Sequence, residues 1–134
     1  MNVSSLLLCD FAQIREGLLF VVSGGVSRVY RSGVPARLGL HLAMVVDMTA
    51  EEAGAAHDLA VQVVDRTGTE VAAVSATFKV GDEGVFYQEQ QHVPFVISLA
   101  DLEVGTWGTH EVRVKLNEES VGSVTCYVLP SEAF

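Results

Sequence analysis

Between Arg37 and Met48 the chain alternates without a break. Leu38, Leu40, Leu42, Met44, Val46 and Met48 fall on one face, and Arg37, Gly39, His41 and Asp47 fall on the other. A side-chain period of two belongs to a strand with one buried side. The period returns over 57–65, where Leu59, Val61 and Val63 alternate with Ala60, Gln62 and Val64. It returns again over about 70–80, where Ala72, Val74, Ala76, Phe78 and Val80 share a side. Between these two strands, Asp65-Arg66-Thr67-Gly68 has the residues of a hairpin turn. Val93, Phe95, Ile97 and Leu99 predict a further strand, His110, Val112, Val114 and Leu116 another, and Val121 to Leu129 a last one that Pro130 ends. The opening runs 4–14 and 18–29 flank a turn at Arg15-Glu16-Gly17 and read as two core strands. Thr49 and Glu52 have the spacing of a capping box and predict one short helical turn near 50–56. The pattern over 85–91 fits no single element. The sum is an all-β, Ig-like β-sandwich of about 7–8 antiparallel strands, one domain over 1–130 with a short tail at 131–134.

Composition supports a globular core. Of 134 residues 49% are hydrophobic and 19% charged, and a chain of that length buries roughly two-thirds of the surface its unfolded form exposes. The net charge of −9 is unevenly spread: residues 1–37 hold four arginines against two acids, so they balance at +2 and the rest carries −11. An acidic surface repels phosphate, which argues against a nucleic-acid or anionic-membrane partner. Cys9 and Cys126 sit in apolar surroundings and are read as buried free thiols.

The opening LLLCDFAQIREGLLFVVSGG has two functional readings besides a hairpin. A lipid-anchor signal needs a basic segment before an apolar stretch of roughly 7 to 15 residues, and neither precedes Cys9, so a cytoplasmic location is expected. A phosphate loop needs a helix directly after the glycines, whereas Val26-Ser27-Arg28-Val29-Tyr30 alternates as a strand. Gly24-Gly25 is therefore expected to mark a bulge or a bend between sheets. Asp10, set between Cys9 and Phe11, is expected to face solvent or to accept hydrogen bonds.

Local signatures for chemistry are weak. His41, His57, His92 and His110 show no paired metal-ligand spacing, and surface or hydrogen-bonded roles are expected for them. The serines lack a nucleophile elbow, and Glu51-Glu52 and Asp82-Glu83 lack the spacing of a calcium loop. No catalytic residue, metal ligand or cofactor is assigned, and the chain is not expected to be an enzyme.

The stretches L-L-L-C-D-F-A and G-L-L-F-V-V-S-G-G, the Val34-Pro35 step and the late G-T-W-G-T-H-E-V-R-V resemble a family of small single-domain bacterial β-sandwich proteins of unknown function. That resemblance covers nearly the whole chain and implies a fold rather than a mechanism. The expected function is a non-catalytic interaction or assembly module acting on a protein partner or on itself through a sheet face or edge strand. Candidate surface residues are Arg28, Arg31, Arg37, Phe86 and Tyr87. The alternative is a small-ligand or metal-ion site among loops at one end, with Asp47, Trp107 and His110 as candidate pocket residues.

Overall fold

The computed structural model describes residues 1–81 and 90–131. Among them the chain forms β1 (Asn2–Arg15), β2 (Leu18–Gly24), β3 (Arg28–Arg31), β4 (Ala36–Arg37), β5 (His41–Met48), α1 (Ala50–Ala53), β6 (His57–Asp65), β7 (Glu70–Phe78), β8 (Gln91–Ser98), β9 (Glu103–Val104), β10 (Gly108–Leu116) and β11 (Glu119–Pro130). A four-stranded sheet runs β2-β1-β5-β8 and a five-stranded sheet runs β3-β11-β10-β6-β7, while β4 and β9 form a two-stranded clip.

The alternation explains how the two larger sheets meet. Leu38, Leu40, Leu42, Met44, Val46 and Met48 are each 2% exposed or less. They share one core with Leu59, Val61 and Val63 of β6, Val112, Val114 and Leu116 of β10, and Cys126 and Val128 of β11. One row from each strand fills the space between the layers, and each such side chain contributes about 1.5–3 kcal/mol by leaving water.

The helical turn follows from local hydrogen bonding. Thr49 Oγ1 accepts from the Glu52 N–H at 3.1 Å, and Glu52 Oε1 accepts from the Thr49 N–H at 2.9 Å. The second carboxylate oxygen of Glu52 lies 2.8 Å from the Met1 ammonium, tying the start of β1 to α1.

The structure corrects the division, direction and number of the strands. The run 18–29 is not one strand: Gly25 takes a φ of +86°, and the N–H groups of Gly25 and Val26 both donate to the Leu8 carbonyl. The chain thereby leaves the four-stranded sheet and enters the other as β3, which is the bend expected at Gly24-Gly25. Second, β3 pairs with β11 in parallel, so the strands are not all antiparallel. Third, the described strands number eleven, more than the seven or eight expected, partly because Gly39, at φ +70°, separates β4 from β5. Residues 82–89 lie outside the described residues.

Candidate interaction surface

The most unusual part of the molecule is the first hairpin. Strand β1 changes partner along its length: Asn2 to Cys9 pair with β5, and Cys9 to Arg15 pair with β2. At the switch Cys9 is fully buried with its Sγ 3.5 Å from the His41 carbonyl. Asp10 is exposed, as expected, its own carbonyl lies 3.1 Å from His41 Nδ1, and the Phe11 ring meets the His41 ring edge-on.

Beyond the switch the two strands form a ribbon closed by Glu16 and Gly17, both at positive φ. That is the backbone of a two-residue hairpin turn whose twist matches the flanking strands. The ribbon bends over the outer face of its own sheet, where Ala12 and Leu19 pack with Cys9, Ala43, Leu7 and Val96. In consequence β2 touches β8, although β1 and β5 separate them in strand order.

The other side of the ribbon is left uncovered. Phe11 pairs with Val22, Gln13 with Phe20 and Arg15 with Leu18, and directly opposed residues share a face. On that face Phe11, Leu18, Phe20 and Val22 are 47% to 63% exposed, while Ile14 and Val21, at 44% and 36%, lie on the side of Ala12 and Leu19; the six make up most of the large exposed apolar side chains among the described residues. No residue of β2 is buried. The expectation of a hairpin of two core strands is thus corrected: β1 enters the core with Leu8, whereas β2 lies on the surface. The usable signal was that Leu18 to Val22 are apolar at both parities, a pattern that also belongs to a strand buried on both faces.

The arginines of the candidate surface are put to different uses. Arg28 is exposed on β3. The Arg31 guanidinium donates to the carbonyls of Tyr30, Arg37 and Leu38 at 2.8, 3.0 and 2.6 Å, so it is occupied inside the fold. Arg37 is exposed and lies 3.5 Å from the equally exposed Asp101. Phe86 and Tyr87 lie outside the described residues.

The candidate pocket residues fall at two ends. Asp47 pairs with Asn2 and His92 on the last turn of β5 before α1, with its Oδ1 2.5 Å from His92 Nδ1. His110 is the third residue of β10, six residues from Leu116 and so about 20 Å along the strand from that end. It is fully buried rather than at the surface; its Nδ1 lies 2.9 Å from the Gly108 carbonyl, while its Nε2 has no partner among the described residues. Trp107 instead lines an open depression of about 400 Å³ with Val34, Arg66, Thr67 and Thr106. A second, shallow depression of about 620 Å³ lies on the polar face of the five-stranded sheet, between Asp58, Gln62, Ser75, Thr77 and Lys115. Among the described residues no group of three or more His, Cys, Asp or Glu is placed to hold a metal ion, and no helix is long and apolar enough to cross a membrane.

Fold and surface together define a small all-β protein of two layered sheets that carries an apolar ribbon at one edge. Residues 4–129 match the model of a family of unknown function, DUF6941, and the chain belongs to that family. Among solved structures it is similar to the Pseudomonas fluorescens alkylpurine DNA glycosylase AlkC bound to DNA containing an abasic site analog, at 18% identity and a TM-score of 0.37. That likeness covers 92% of this chain and 30% of the glycosylase, so the chain spans less than a third of that protein's length. No curated protein matches the chain.

Proposed function

We propose that this protein is a non-catalytic interaction module that works through the β1–β2 ribbon, in the cytoplasm of a bacterial cell. The observation that carries this reading is the exposure of six large apolar side chains on an edge ribbon whose outer strand, Leu18–Gly24, holds neither a charge nor a proline. Sheet edges left in water are ordinarily guarded by lysine, proline or inward-facing charge. An unguarded apolar edge belongs to a surface that another chain covers. Two unpaired, buried cysteines fit a reducing compartment.

A photo-crosslinking residue placed at Phe20 or Val22 in living cells tests the reading, with Thr125 on the polar face of the five-stranded sheet as control. Covalent protein adducts at the ribbon and none at Thr125 are expected. Equal absence of adducts at all three positions counts against the module.

A second reading rests on the depression beside Trp107, where Arg66, Thr67 and Thr106 offer polar groups around an aromatic ring. It makes the protein a small-ligand or metal-ion binding domain acting through loops at one end. A ligand at 100 times its dissociation constant stabilises the fold by about 2.7 kcal/mol. A thermal-shift screen of metabolites and divalent ions that raises the melting temperature, and a Trp107→Ala variant that abolishes the rise, are its expected results.

A further inference from the structure

The depression beside Trp107 brings the turn between β6 and β7 against the loop before β10. Resting on the second reading above, we infer that it takes an organic monoanion with a flat apolar body, an aryl or arylalkyl carboxylate. The carboxylate meets the Arg66 guanidinium and the Thr106 hydroxyl, and the ring lies against Trp107 and Val34.

Charge selects an anion. Arg66 is exposed and makes no hydrogen bond or ion pair among the described residues, whereas Arg37 lies by Asp101, Arg113 by Glu111, and Arg31 on three carbonyls. The acid next to Arg66 in the chain is committed elsewhere. Asp65 Oδ1 accepts from the Thr67 N–H, the Thr67 hydroxyl and the Thr69 N–H at 2.9, 2.6 and 3.1 Å, which fixes the turn and leaves the guanidinium donors unused. A Cβ at Gly108 would sit 4.0 Å from Arg66 Cδ, so the side chain lies over the start of β10, next to the loop that holds Thr106 and Trp107. A planar guanidinium matches a carboxylate with two parallel N–H···O bonds. With Asp65 in the wall and −9 on the chain, a dianionic phosphate ester is repelled more strongly than a single carboxylate.

Shape selects the flat body. The depression holds about 400 Å³, within the range of roughly 300–1,000 Å³ for small-molecule sites. Trp107 is half-buried and packs against the main core, which holds its indole in place as a surface for another ring. Beside it the exposed Thr106 hydroxyl has no partner among the described residues and is free to donate. The Thr67 hydroxyl gives its proton to Asp65 and is left only to accept. An uncharged ligand leaves Arg66 unmatched, and a small anion without a ring leaves Trp107 and Val34 in water.

Trp107 is the single tryptophan of the chain, so its emission reads the site directly. The full chain is titrated with phenylacetate and, in parallel, with phenylacetamide, acetate and phenyl phosphate, exciting at the red edge of the indole band. Phenylacetate is expected to change the emission saturably and to bind about tenfold more tightly than each of the other three, or better. Arg66→Gln alters an exposed side chain without partners, and is expected to bring phenylacetate down to the level of the amide with an unchanged circular dichroism spectrum. High salt is expected to weaken phenylacetate binding to the wild type. Equal binding of phenylacetate and its amide, tighter binding of phenyl phosphate, an Arg66→Gln variant that binds phenylacetate as the wild type does, or no saturable response at all overturns the anion inference. In any of these events a thermal-shift hit that Trp107→Ala abolishes leaves the ligand-site reading standing, and a flat screen removes both.

Discussion

Arg31 lies in the sequence as one of three arginines that could face a partner, yet its guanidinium is turned inward to hold three carbonyls of the 30–38 segment. Gly39 faces it. A Cβ at Gly39 would sit 2.8 Å from Arg31 Nη2, and the φ of +70° disfavours any side chain there. Removing the guanidinium leaves carbonyls without a charged donor, so Arg31→Ala is expected to cost about 2 kcal/mol. Gly39→Ala costs a similar amount in the wild type, because Arg31 must release the Leu38 carbonyl to make room. In the Arg31→Ala background only the backbone strain of roughly 1 kcal/mol remains. Urea denaturation of the two single variants and the double variant measures this coupling, and strict additivity would refute it. The thiols are a simpler residue-scale case. Burial pushes Cys9 and Cys126 above the usual thiol range, with the Asp10 charge adding to the effect at Cys9. Cys9 belongs to the cluster under the ribbon and Cys126 to the core between the sheets, so they stay apart and free. Neither is expected to react with an aromatic disulfide reagent at neutral pH, and both are expected to react once guanidinium unfolds the chain.

At the scale of elements, two hairpins close on pairs of residues with positive φ: Glu16-Gly17 between β1 and β2, and Asn117-Glu118 between β10 and β11. The first uses glycine at its second position, whereas the second places Glu118 at φ +68°. Asn117 fits its position because its side-chain oxygen accepts from the Asp58 N–H at 3.0 Å and its amide lies 2.9 Å from His57 Nδ1. Glu118 has no comparable hold among the described residues. Glu118→Gly removes a left-handed strain of about 1–2 kcal/mol and loses roughly 0.5–1 kcal/mol to the freer unfolded chain. The expected outcome is a net gain of about 0.5 kcal/mol, read as a small rise in melting temperature. Strands β5, β6 and β10 were legible because each buries one face, so the period of two survives in the sequence. The capping box was legible because its donors and acceptors are three residues apart. The hairpin around Arg15-Glu16-Gly17 was legible too, but its place on the surface was not, because that depends on tertiary packing of Ala12 and Leu19 with Ala43. A strand that is apolar at both parities looks the same whether a core or a second chain covers it. The parallel pairing of β3 with β11 rests on contacts a hundred residues apart, which no local pattern records.

For the molecule as a whole, charge and hydrogen bonding pull stability in opposite directions as pH falls. With −9 at neutrality and an isoelectric point near 4.7, acidification first relieves self-repulsion. Three carboxyls oppose that gain lower down. The Met1 ammonium and the Thr49 N–H hold Glu52 below the usual range, the Thr67 hydroxyl and the Thr67 and Thr69 N–H groups do so for Asp65, and the Arg113 guanidinium does so for Glu111. Each folded value lies below the unfolded one, so each contribution is fully present above the ordinary carboxyl range and is lost as pH drops through the folded value. Stability is therefore expected to hold or rise slightly from pH 7 to about 5 and to fall below about pH 4. Salt separates the two effects. Half-molar sodium chloride screens the repulsion and flattens the upper limb, while the hydrogen-bonded carboxyls still lose their share at low pH. The triple variant Glu52→Gln, Asp65→Asn, Glu111→Gln replaces each titrating group with a neutral acceptor of similar shape. Its denaturation midpoint, followed from pH 6 to 3, is expected to decline less than that of the wild type. An equal decline would move the acid sensitivity away from these three sites and onto the remaining acids of the −11 segment.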